Sequence, residues 1–536
     1  MIESNSAEVG SGGLTDAFSS LRSVAATVEC SRAVALALTV SAALLLRLFA
    51  LGATGFSEDE VNKLHAVEAY RHGDFSANAE HPMVMKVAMW GSLDATRWWN
   101  AHLPSASAFA VSDEAALRLP NAIAGAATTA VLFLLAEALF DTTTGAFAAL
   151  FWAFDTGAAA INRIGKEDTF LLFFLLLASY LYERGKLASA FDPRQGNRWY
   201  ARSAVGFGLM LASKYMPHYF GLHALFNVAG DQHPEDKTPD KRWPFFAILG
   251  ATFLVANAAL LLPSTWRYVL GYMHGDTLRH SGYLFAQHLY VNSLDASPWG
   301  LPVWFYPTFL LTKQPLVTLA AAAAGLAWTW RHPRHRGAAF VRVFLVFTLV
   351  PYSFAASKFL RYMLPTIAAL DIAAAIGAAR FVRRAGDLGV LAAAAIVVAL
   401  VLPAAAAAPN YALARNTIGD RLGGPPLFPD DELYDAGVRE AVAEIAAVAS
   451  PGSVVCSDAT AVVAEYLARD RRPDVASQSI AHDGIPMHGH EVWILVQDGH
   501  TYFENAATLD ALQRRLAPWS EIRVDGVSAA RIYRFR

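Results

Sequence analysis

The chain has 536 residues, of which 55% are hydrophobic and only 17% charged, and its net charge at pH 7 is −3. A soluble protein carries charge on about a quarter of its residues, and a nucleic-acid-binding domain is usually basic. The composition therefore argues against both classes, and a mean hydropathy of +0.31 favours a membrane protein.

The first 30 residues are polar and rich in Ser and Gly, which predicts a disordered cytoplasmic tail. The first apolar run starts too late, and is too long, for a cleaved secretory signal. Apolar runs near the ~20 residues needed to cross a bilayer then recur to about residue 410. We predict about eleven transmembrane helices, with approximate bounds 33–51, 118–139, 145–161, 168–183, 201–213, 215–230, 243–262, 314–330, 338–356, 361–380 and 388–407.

Lys and Arg in the short loops set the orientation of such a protein. With the N-terminus inside, the cation-rich loops fall on the inner side throughout the chain. The outer side then carries loops at 52–117 and 263–300 and everything after about 408. Cys30 and Cys456 lie on opposite sides of the membrane in this topology, so they cannot form a disulfide within one chain.

The end of the chain has a different character. A Gly/Pro-rich linker, 411–432, leads into residues 433–536, where helical and strand-like patterns alternate. Such alternation predicts a small soluble α/β domain with a largely parallel sheet. We interpret His482, His488 and His490 as parts of a polar loop that enters a strand, rather than as a metal site.

Cations also stand at the outer ends of the predicted helices, where the orientation rule disfavours them. Their repetition suggests an anion held at the outer leaflet, and contact with lipid headgroups is the alternative. The cations are Arg163, Lys166, Lys214, Lys313, Lys358 and Arg361.

Three acids, Glu58, Asp59 and Glu60, follow the first apolar run. Ser57 and Glu60 have the spacing of a helix capping box, which accounts for one or two of the acids. It does not account for Asp59 beside outer cations. A carboxylate can take a proton from an acceptor hydroxyl, while Lys and Arg stabilise a departing phosphate.

Several motifs, in order, resemble the GT-C glycosyltransferases of the dolichyl-phosphate-mannose protein O-mannosyltransferase and lipid A aminoarabinose transferase superfamily. The resemblance covers roughly residues 33–410. It is carried by "EDEV", "EHPMVMK", "LRLPNAIAGAATTAVLF", "INRIGKEDTFLLFF", "ASKYMP", the Pro-Trp and "KQPL" elements of the second outer loop, and "SKFLRYMLP".

The resemblance implies a catalytic base at Asp59, with Glu60 orienting the acceptor or holding a divalent ion. Glu58 extends the family's acidic pair to a triplet, which leaves a neighbouring acid open as the base. The residues that the resemblance assigns to substrate binding are His81, Arg163, Asp168, Lys214, Lys358 and Arg361. For His274, Asp276, His280 and His288 in the second outer loop, substrate hydrogen bonding or loop structure is favoured over metal ligation.

The expected protein is therefore a GT-C-type polytopic α-helical membrane enzyme with a C-terminal α/β domain at 433–536. It would move a sugar, with inversion, from a polyprenyl-phosphate carrier to an acceptor hydroxyl of a glycan, lipid or protein. The expected location is the inner membrane of a bacterium, with the site facing outward and no nucleic-acid partner. A lipid or saccharide transporter is the alternative, and an inactive scaffold is a third reading. The sequence leaves the sugar, the acceptor and the need for a metal ion open.

Overall fold

The structure is a computed structural model that describes residues 32–104, 107–230, 242–273, 281–291, 302–355, 357–422, 425–486 and 491–535. Within these ranges the first 406 residues are mainly helical. The helices are α1 (32–48), α2 (Glu58–Arg71), α3 (Met83–Ala101), α4 (Asp113–Leu139), α5 (Thr142–Phe154), α6 (Thr156–Asn162), α7 (Asp168–Ser189), α8 (Pro193–Leu211), α9 (His218–Gly230), α10 (Arg242–Ala256), α11 (Pro263–Met273), α12 (Phe305–Lys313), α13 (Leu316–Arg331), α14 (Arg336–Phe354), α15 (Leu364–Arg384) and α16 (Gly389–Ala406).

Among the described residues, four helical segments are long and apolar enough to cross a membrane. They are Asp113–Leu139, Arg336–Phe354, Leu360–Arg384 and Gly386–Ala406. The number rises to six if each of two bent helix pairs counts as one span. These segments establish a multi-pass membrane protein, and the count of eleven stays a prediction.

The predicted span 145–161 is not one continuous helix. The chain bends by 62° between α5 and α6, at Asp155. The Asp155 side chain accepts a hydrogen bond from the Ala158 amide at 2.6 Å and so caps a new helix inside the apolar run. A sharper bend of 117° separates α12 from α13, where Gln314 and Pro315 interrupt the helix.

Helix α15 lies at the centre of the bundle, since 94% of its apolar window is buried. Two glycines let α13 and α15 cross with their backbones in contact. A Cβ on Gly377 would lie 2.0 Å from the carbonyl oxygen of Ala321, and one on Gly325 would lie 1.8 Å from that of Ala373. Small residues at such crossings are typical of packed membrane helices.

Two regions, 52–117 and 263–300, are those that the sequence predicts to lie outside the membrane. In the first, α2 begins at the predicted capping box and α3 follows it, with Trp98 and Trp99 exposed. In the second, a short hairpin joins β1 (Tyr283–Phe285) to β2 (His288–Tyr290).

Two short helices, α17 (Thr417–Leu422) and α18 (Pro429–Leu433), lead to the C-terminal sheet. Its order is β4-β3-β5-β7-β6. The elements are α19 (Val438–Val448), β3 (Val454–Cys456), α20 (Thr460–Arg469), β4 (Ala476–Gln478), α21 (Ile480–Asp483), β5 (Val492–Val496), α22 (Ala506–Arg515), β6 (Ser520–Val524) and β7 (Val527–Phe535).

The sheet is mixed, not largely parallel as predicted. Strands β4, β3 and β5 pair in parallel, whereas β5 with β7 and β6 with β7 pair antiparallel. The reason lies at Asp525 and Gly526, whose φ values of +47° and +78° make the two-residue turn of a hairpin. The Asp-Gly pair in "RVDGVS" is the sequence pattern that favours such a turn.

The C-terminal sheet and the first outer region share one hydrophobic core. Phe56 and Val61 of the α2 region belong to the same buried cluster as Val438, Val442 and Tyr466. Helices α19 and α20 therefore lie between the sheet and α2, which brings the last hundred residues against the acidic triplet.

Candidate active site

The acidic triplet begins helix α2, and its capping box is present. Ser57 Oγ accepts from the Glu60 amide at 3.4 Å, and Glu60 Oε2 accepts from the Ser57 amide at 3.0 Å. Glu60 is fully buried. Arg118 of α4 donates to both Glu60 oxygens, at 2.8 and 2.6 Å, and the Gly165 amide donates to Oε1 at 2.8 Å. With these donors on both oxygens, Glu60 joins α2 to α4 and to the chain before α7.

Asp59 has a different environment. Lys166 pairs with its Oδ2, and the Tyr434 hydroxyl donates to the same oxygen at 3.0 Å. Among the described residues none donates to Oδ1, and the side chain is 36% exposed. Burial alone would raise the pKa of Asp59, but Lys166, Arg361 and Lys63 outweigh burial and hold that pKa well below its usual range. Asp59 is therefore a carboxylate with one oxygen fixed and the other open.

A second carboxylate, Glu167, lies beside this pair. Lys63 of α2 approaches Glu167 Oε1 at 3.0 Å, and both side chains are almost completely buried. His81 Nδ1 lies 3.5 Å from the same oxygen. Burial lowers the pKa of His81 to about 3, although Glu167 acts in the opposite direction, so the imidazole is neutral at pH 7. Lys86 donates to the His81 carbonyl at 2.9 Å and so holds the loop that presents the histidine.

A third carboxylate, Asp168, brings two of the predicted cations together. Lys214 Nζ lies 2.7 Å from Asp168 Oδ1, and Arg361 Nε lies 3.9 Å from Oδ2. The Lys214 ammonium also lies 4.9 Å from the centre of the Tyr362 ring. Lys214 and Arg361 therefore converge on one carboxylate, although they are far apart along the chain.

Two other predicted cations bind backbone carbonyls. Arg163 donates to the carbonyls of Arg47 and Phe49 at 2.8 and 2.7 Å, at the end of α1. Lys358 donates to the carbonyl of Ser353 at 2.6 Å, at the end of α14. Burial lowers the pKa of Lys358 to about 8. Both cations occupy the negative ends of helix dipoles, which is a structural role for them in this conformation.

The C-terminal part of the chain adds further acids around Asp59. Asp435 accepts from the Glu58 amide at 2.8 Å and pairs with His500 at 2.5 Å. Burial, with the neighbouring carboxylates of Asp435, Asp59 and Asp430, raises the pKa of Glu58 to about 7, against the effect of His500. The Glu58 carboxyl group therefore changes its protonation near neutral pH.

A cleft of about 780 Å³ opens beside these acids, between the first outer region and the C-terminal sheet. Both parts of the chain contribute polar side chains to it. Its lining includes Glu58, Asp59, Asn62, His65, Asp74, Asn78, Glu80, His81, Tyr268, Asp458, Thr460 and Ser479. The open oxygen of Asp59 and a cleft of this size could accommodate an acceptor hydroxyl.

The described residues contain no group of three His, Cys, Asp or Glu side chains arranged to hold a metal ion. Glu60, which the sequence offered as a metal ligand, accepts hydrogen bonds from Arg118, Gly165 and Ser57 instead. His288 lies in β2. The other candidates in the second outer loop, His274, Asp276 and His280, lie outside the described residues, as do Cys30, His488 and His490.

Sequence reasoning assigned no role to four residues of this site. Arg118, Glu167 and Tyr434 contact the predicted residues Glu60, His81 and Asp59, and Lys63 pairs with Glu167. The "GKEDTF" motif did signal Glu167, since two charged neighbours flank it before an apolar helix. Nothing in the sequence indicated a role for Tyr434 in the site, because this residue lies in the segment interpreted as the start of a separate domain.

Comparison with known proteins bears on this arrangement. The family model for dolichyl-phosphate-mannose-protein mannosyltransferase matches residues 105–260. Over 92% of this chain and 97% of the other, the structure superposes on ArnT from Cupriavidus metallidurans bound to undecaprenyl phosphate, with a TM-score of 0.52 and 15% identity. The chain has the ArnT fold. The resemblance to GT-C glycosyltransferases predicted from the motifs is confirmed by this fold and by the family model.

A more distant similarity is to the apo oligosaccharyltransferase of Archaeoglobus fulgidus. The identity is 11% over 83% of this chain and 64% of the other, with a TM-score of 0.46. No curated protein matches the sequence.

Proposed function

We propose that the protein is an inverting glycosyltransferase that moves a sugar from a polyprenyl-phosphate carrier to an acceptor hydroxyl. The observation that carries the proposal is the Asp59 carboxylate, open at Oδ1 and paired with Lys166 through Oδ2, close to a second carboxylate, Asp168, on which Lys214 and Arg361 converge. The family model and the ArnT fold support it, and the ArnT structure holds undecaprenyl phosphate.

In this mechanism Asp59 Oδ1 accepts the proton of the acceptor hydroxyl as its oxygen attacks the anomeric carbon of the donor. The bond from that carbon to the phosphate oxygen breaks, and the lipid phosphate leaves with its negative charge. Lys166, Lys214 and Arg361 stabilise that charge, and Arg361 can do so through two parallel hydrogen bonds. A single displacement inverts the anomeric configuration.

Donor binding would also strengthen the base. Asp59 in the free protein is stabilised as a carboxylate by Lys166 and Arg361, which makes it a weak proton acceptor. A carrier phosphate that binds the same cations offsets their charge, so the proton affinity of Asp59 rises when the donor is in place. Lys166, which contacts Asp59 directly, would be the main link between donor and base.

We assign the site to the outer face of a bacterial inner membrane, because the cation-rich loops of the sequence lie on the opposite side. His81 would contact the substrate from the cleft, and Asp168 would orient Lys214 and Arg361. Arg163 and Lys358 would reach the carrier only if they released their backbone carbonyls. The acceptor can be a glycan, a lipid or a protein.

A purified preparation of the full chain tests the proposal. The enzyme is incubated with decaprenyl-phosphate-linked mannose, glucose, galactose or arabinose and a cell-envelope extract, and free decaprenyl phosphate is measured by mass spectrometry. We expect release from one donor, reduced ~10²–10⁴-fold by Asp59→Asn. The matched control is Asp510→Asn, an exposed carboxylate in α22. Release from none of the donors by the wild type would reject the proposal.

Glu58→Gln, measured in the same assay, decides which acid is the base. Asp59 pairs with Lys166, whereas Glu58 lies among acids that, with burial, raise its pKa to about 7. We expect Glu58→Gln to retain most activity. The opposite result, with Asp59→Asn active and Glu58→Gln inactive, would move the base by one residue.

Transport of a lipid-linked saccharide is the second candidate, and one observation favours it. Asp371, in the middle of α15, is fully buried, and neither carboxylate oxygen has a hydrogen-bond partner among the described residues. Ionisable groups inside membrane spans often line transport pathways. Movement of a fluorescent polyprenyl-phosphate sugar between liposome leaflets, without release of polyprenyl phosphate, would support transport in place of transfer.

A further inference from the structure

The segment 429–436, here called the linker turn, contacts both halves of the proposed site. Asp431 Oδ1 accepts from the Leu360 amide at 3.1 Å, next to the phosphate-binding cation Arg361. Three residues later, the Tyr434 hydroxyl donates to Asp59 Oδ2 at 3.0 Å. One short segment therefore touches the base directly and the phosphate cation through its neighbour.

The backbone of the linker turn is strained at this contact. Tyr434 and Asp435 are consecutive non-glycine residues with φ values of +46° and +61°. Left-handed backbone is uncommon for residues other than glycine, and a bulky residue such as tyrosine adopts it rarely. Such strain persists only where surrounding contacts over-determine it, and it is concentrated at functional sites.

The contacts that hold the linker turn come both from the membrane helices and from the C-terminal region. On the membrane side, the buried Glu432 pairs with Lys313 of α12 and lies 3.7 Å from Arg415. On the other side, Asp435 pairs with His500 of the C-terminal domain, whose Nδ1 lies 2.9 Å from the Tyr502 hydroxyl. The linker turn is thus held at both ends, and Tyr434 projects between them toward Asp59.

We propose that Tyr434 is a positioning residue for Asp59 and that the linker turn is a working part of the active site, not a spacer between domains. The inference rests on the proposed glycosyl transfer. Lys166 and Tyr434 share Asp59 Oδ2. When the donor phosphate competes for Lys166, the neutral hydroxyl of Tyr434 remains as a donor. It keeps Oδ2 fixed, and Oδ1 stays directed into the cleft toward the acceptor hydroxyl. Tyr434 keeps its own proton throughout.

The test compares Tyr434→Phe with Tyr533→Phe in the full-length purified enzyme. Tyr533 is a buried tyrosine of β7 in the same C-terminal domain, outside the proposed site, so its variant controls for loss of a buried phenol. Three quantities are measured: kcat for decaprenyl-phosphate sugar, KM for that donor, and the affinity for undecaprenyl phosphate alone. Each variant is also combined with Asp59→Asn.

Tyr434→Phe should lower kcat by about 10- to 100-fold, since it removes a hydrogen bond to a charged group, with KM and undecaprenyl phosphate affinity unchanged. Tyr533→Phe should behave as the wild type. In the Asp59→Asn background, Tyr434→Phe should cause less than a further twofold loss, because both changes act on one group.

Wild-type kcat in Tyr434→Phe, or a full additional loss in the double variant, would overturn the inference. A parallel loss of kcat and undecaprenyl phosphate affinity would also overturn it, since that pattern reports a structural role. Failure of the proposed function is seen separately, as absence of turnover in the wild type.

Discussion

Two adjacent carboxylates at the start of α2 occupy opposite environments. Glu60 is fully buried and forms a two-bond ion pair with Arg118, whereas Asp59 lines the cleft and its side chain is 36% exposed. Adjacent residues on a helix point about 100° apart, so neighbours can lie on different faces. These contacts favour a role in stability for Glu60 and are compatible with the catalytic role proposed for Asp59.

Glu60→Gln should accordingly destabilise the protein more than Asp59→Asn does. The substitution leaves the Arg118 guanidinium buried without its counter-charge, and removing one partner of a buried ion pair typically costs about 3–5 kcal/mol. Thermal unfolding of the detergent-solubilised variants measures the effect. Equal stability of Glu60→Gln and the wild type would show that Arg118 finds another partner.

Arg361→Lys should weaken carrier binding even though the charge is conserved. Lysine cannot form the two parallel hydrogen bonds that a guanidinium offers to phosphate oxygens. We expect the affinity for undecaprenyl phosphate to fall about tenfold, which corresponds to ~1.4 kcal/mol. Arg514→Lys, an exposed change in α22, is the control. Unchanged affinity would mean that Arg361 does not contact the phosphate.

At the scale of helices, α13 and α15 cross so closely that neither Gly325 nor Gly377 has space for a Cβ atom. A Cβ on Gly377 would overlap the carbonyl oxygen of Ala321, and backbone cannot move aside as a flexible side chain can. Overpacking of this kind commonly costs about 1–3 kcal/mol. Because α15 runs through the centre of the bundle and the short helix Leu360–Met363, which bears Arg361, directly precedes it, a shift of α15 would also displace the cation.

Gly377→Ala should therefore lower both thermal stability and undecaprenyl phosphate affinity. Gly250→Ala is the matched control, since a Cβ there meets no atom within 4 Å and alanine is the better helix former. A thermal midpoint for Gly377→Ala equal to that of Gly250→Ala would contradict the close crossing.

The site residues that could be predicted from the sequence are those marked by their position next to an apolar run. Asp59, Lys214 and Arg361 were predicted from their places beside apolar runs together with the resemblance to the glycosyltransferase motifs. Arg163 and Lys358 stand at the same kind of position, but they bind helix-end carbonyls that no sequence pattern reveals. The bend at Asp155 was missed for a similar reason, since hydropathy does not report a side chain that caps a backbone amide.

Across the whole molecule, docking of the C-terminal sheet and its helices against α2 should depend on pH. Burial raises the pKa of Glu58 to about 7 and of Asp431 above its usual range. Burial works against protonation of His500, but Asp435 outweighs it and raises the pKa of His500 to about 9. Each of these groups binds its proton more tightly in the docked state, so the stability that each contributes is lost as pH rises. This loss of stability extends from about pH 5 to about pH 9.

Hydrogen exchange tests this expectation. Amides of residues 56–60 and 430–437, corrected for intrinsic rates, should be less protected at pH 9 than at pH 6. In His500→Gln the difference should shrink, because the group that titrates at the upper end of this pH range is removed. Equal protection at both pH values in the wild type would show that docking does not depend on these protons.

The contacts of the linker turn also determine where the chain can be joined to another when chimeric proteins are made. Its residues pair with α12 through Glu432 and contact Asp59 through Tyr434, so they belong with the membrane part although they precede the C-terminal sheet directly. Chimeras that exchange C-terminal domains between related enzymes should therefore be joined after Gly437. A junction at residue 411 would place a foreign tyrosine, or none, beside the recipient's counterpart of Asp59.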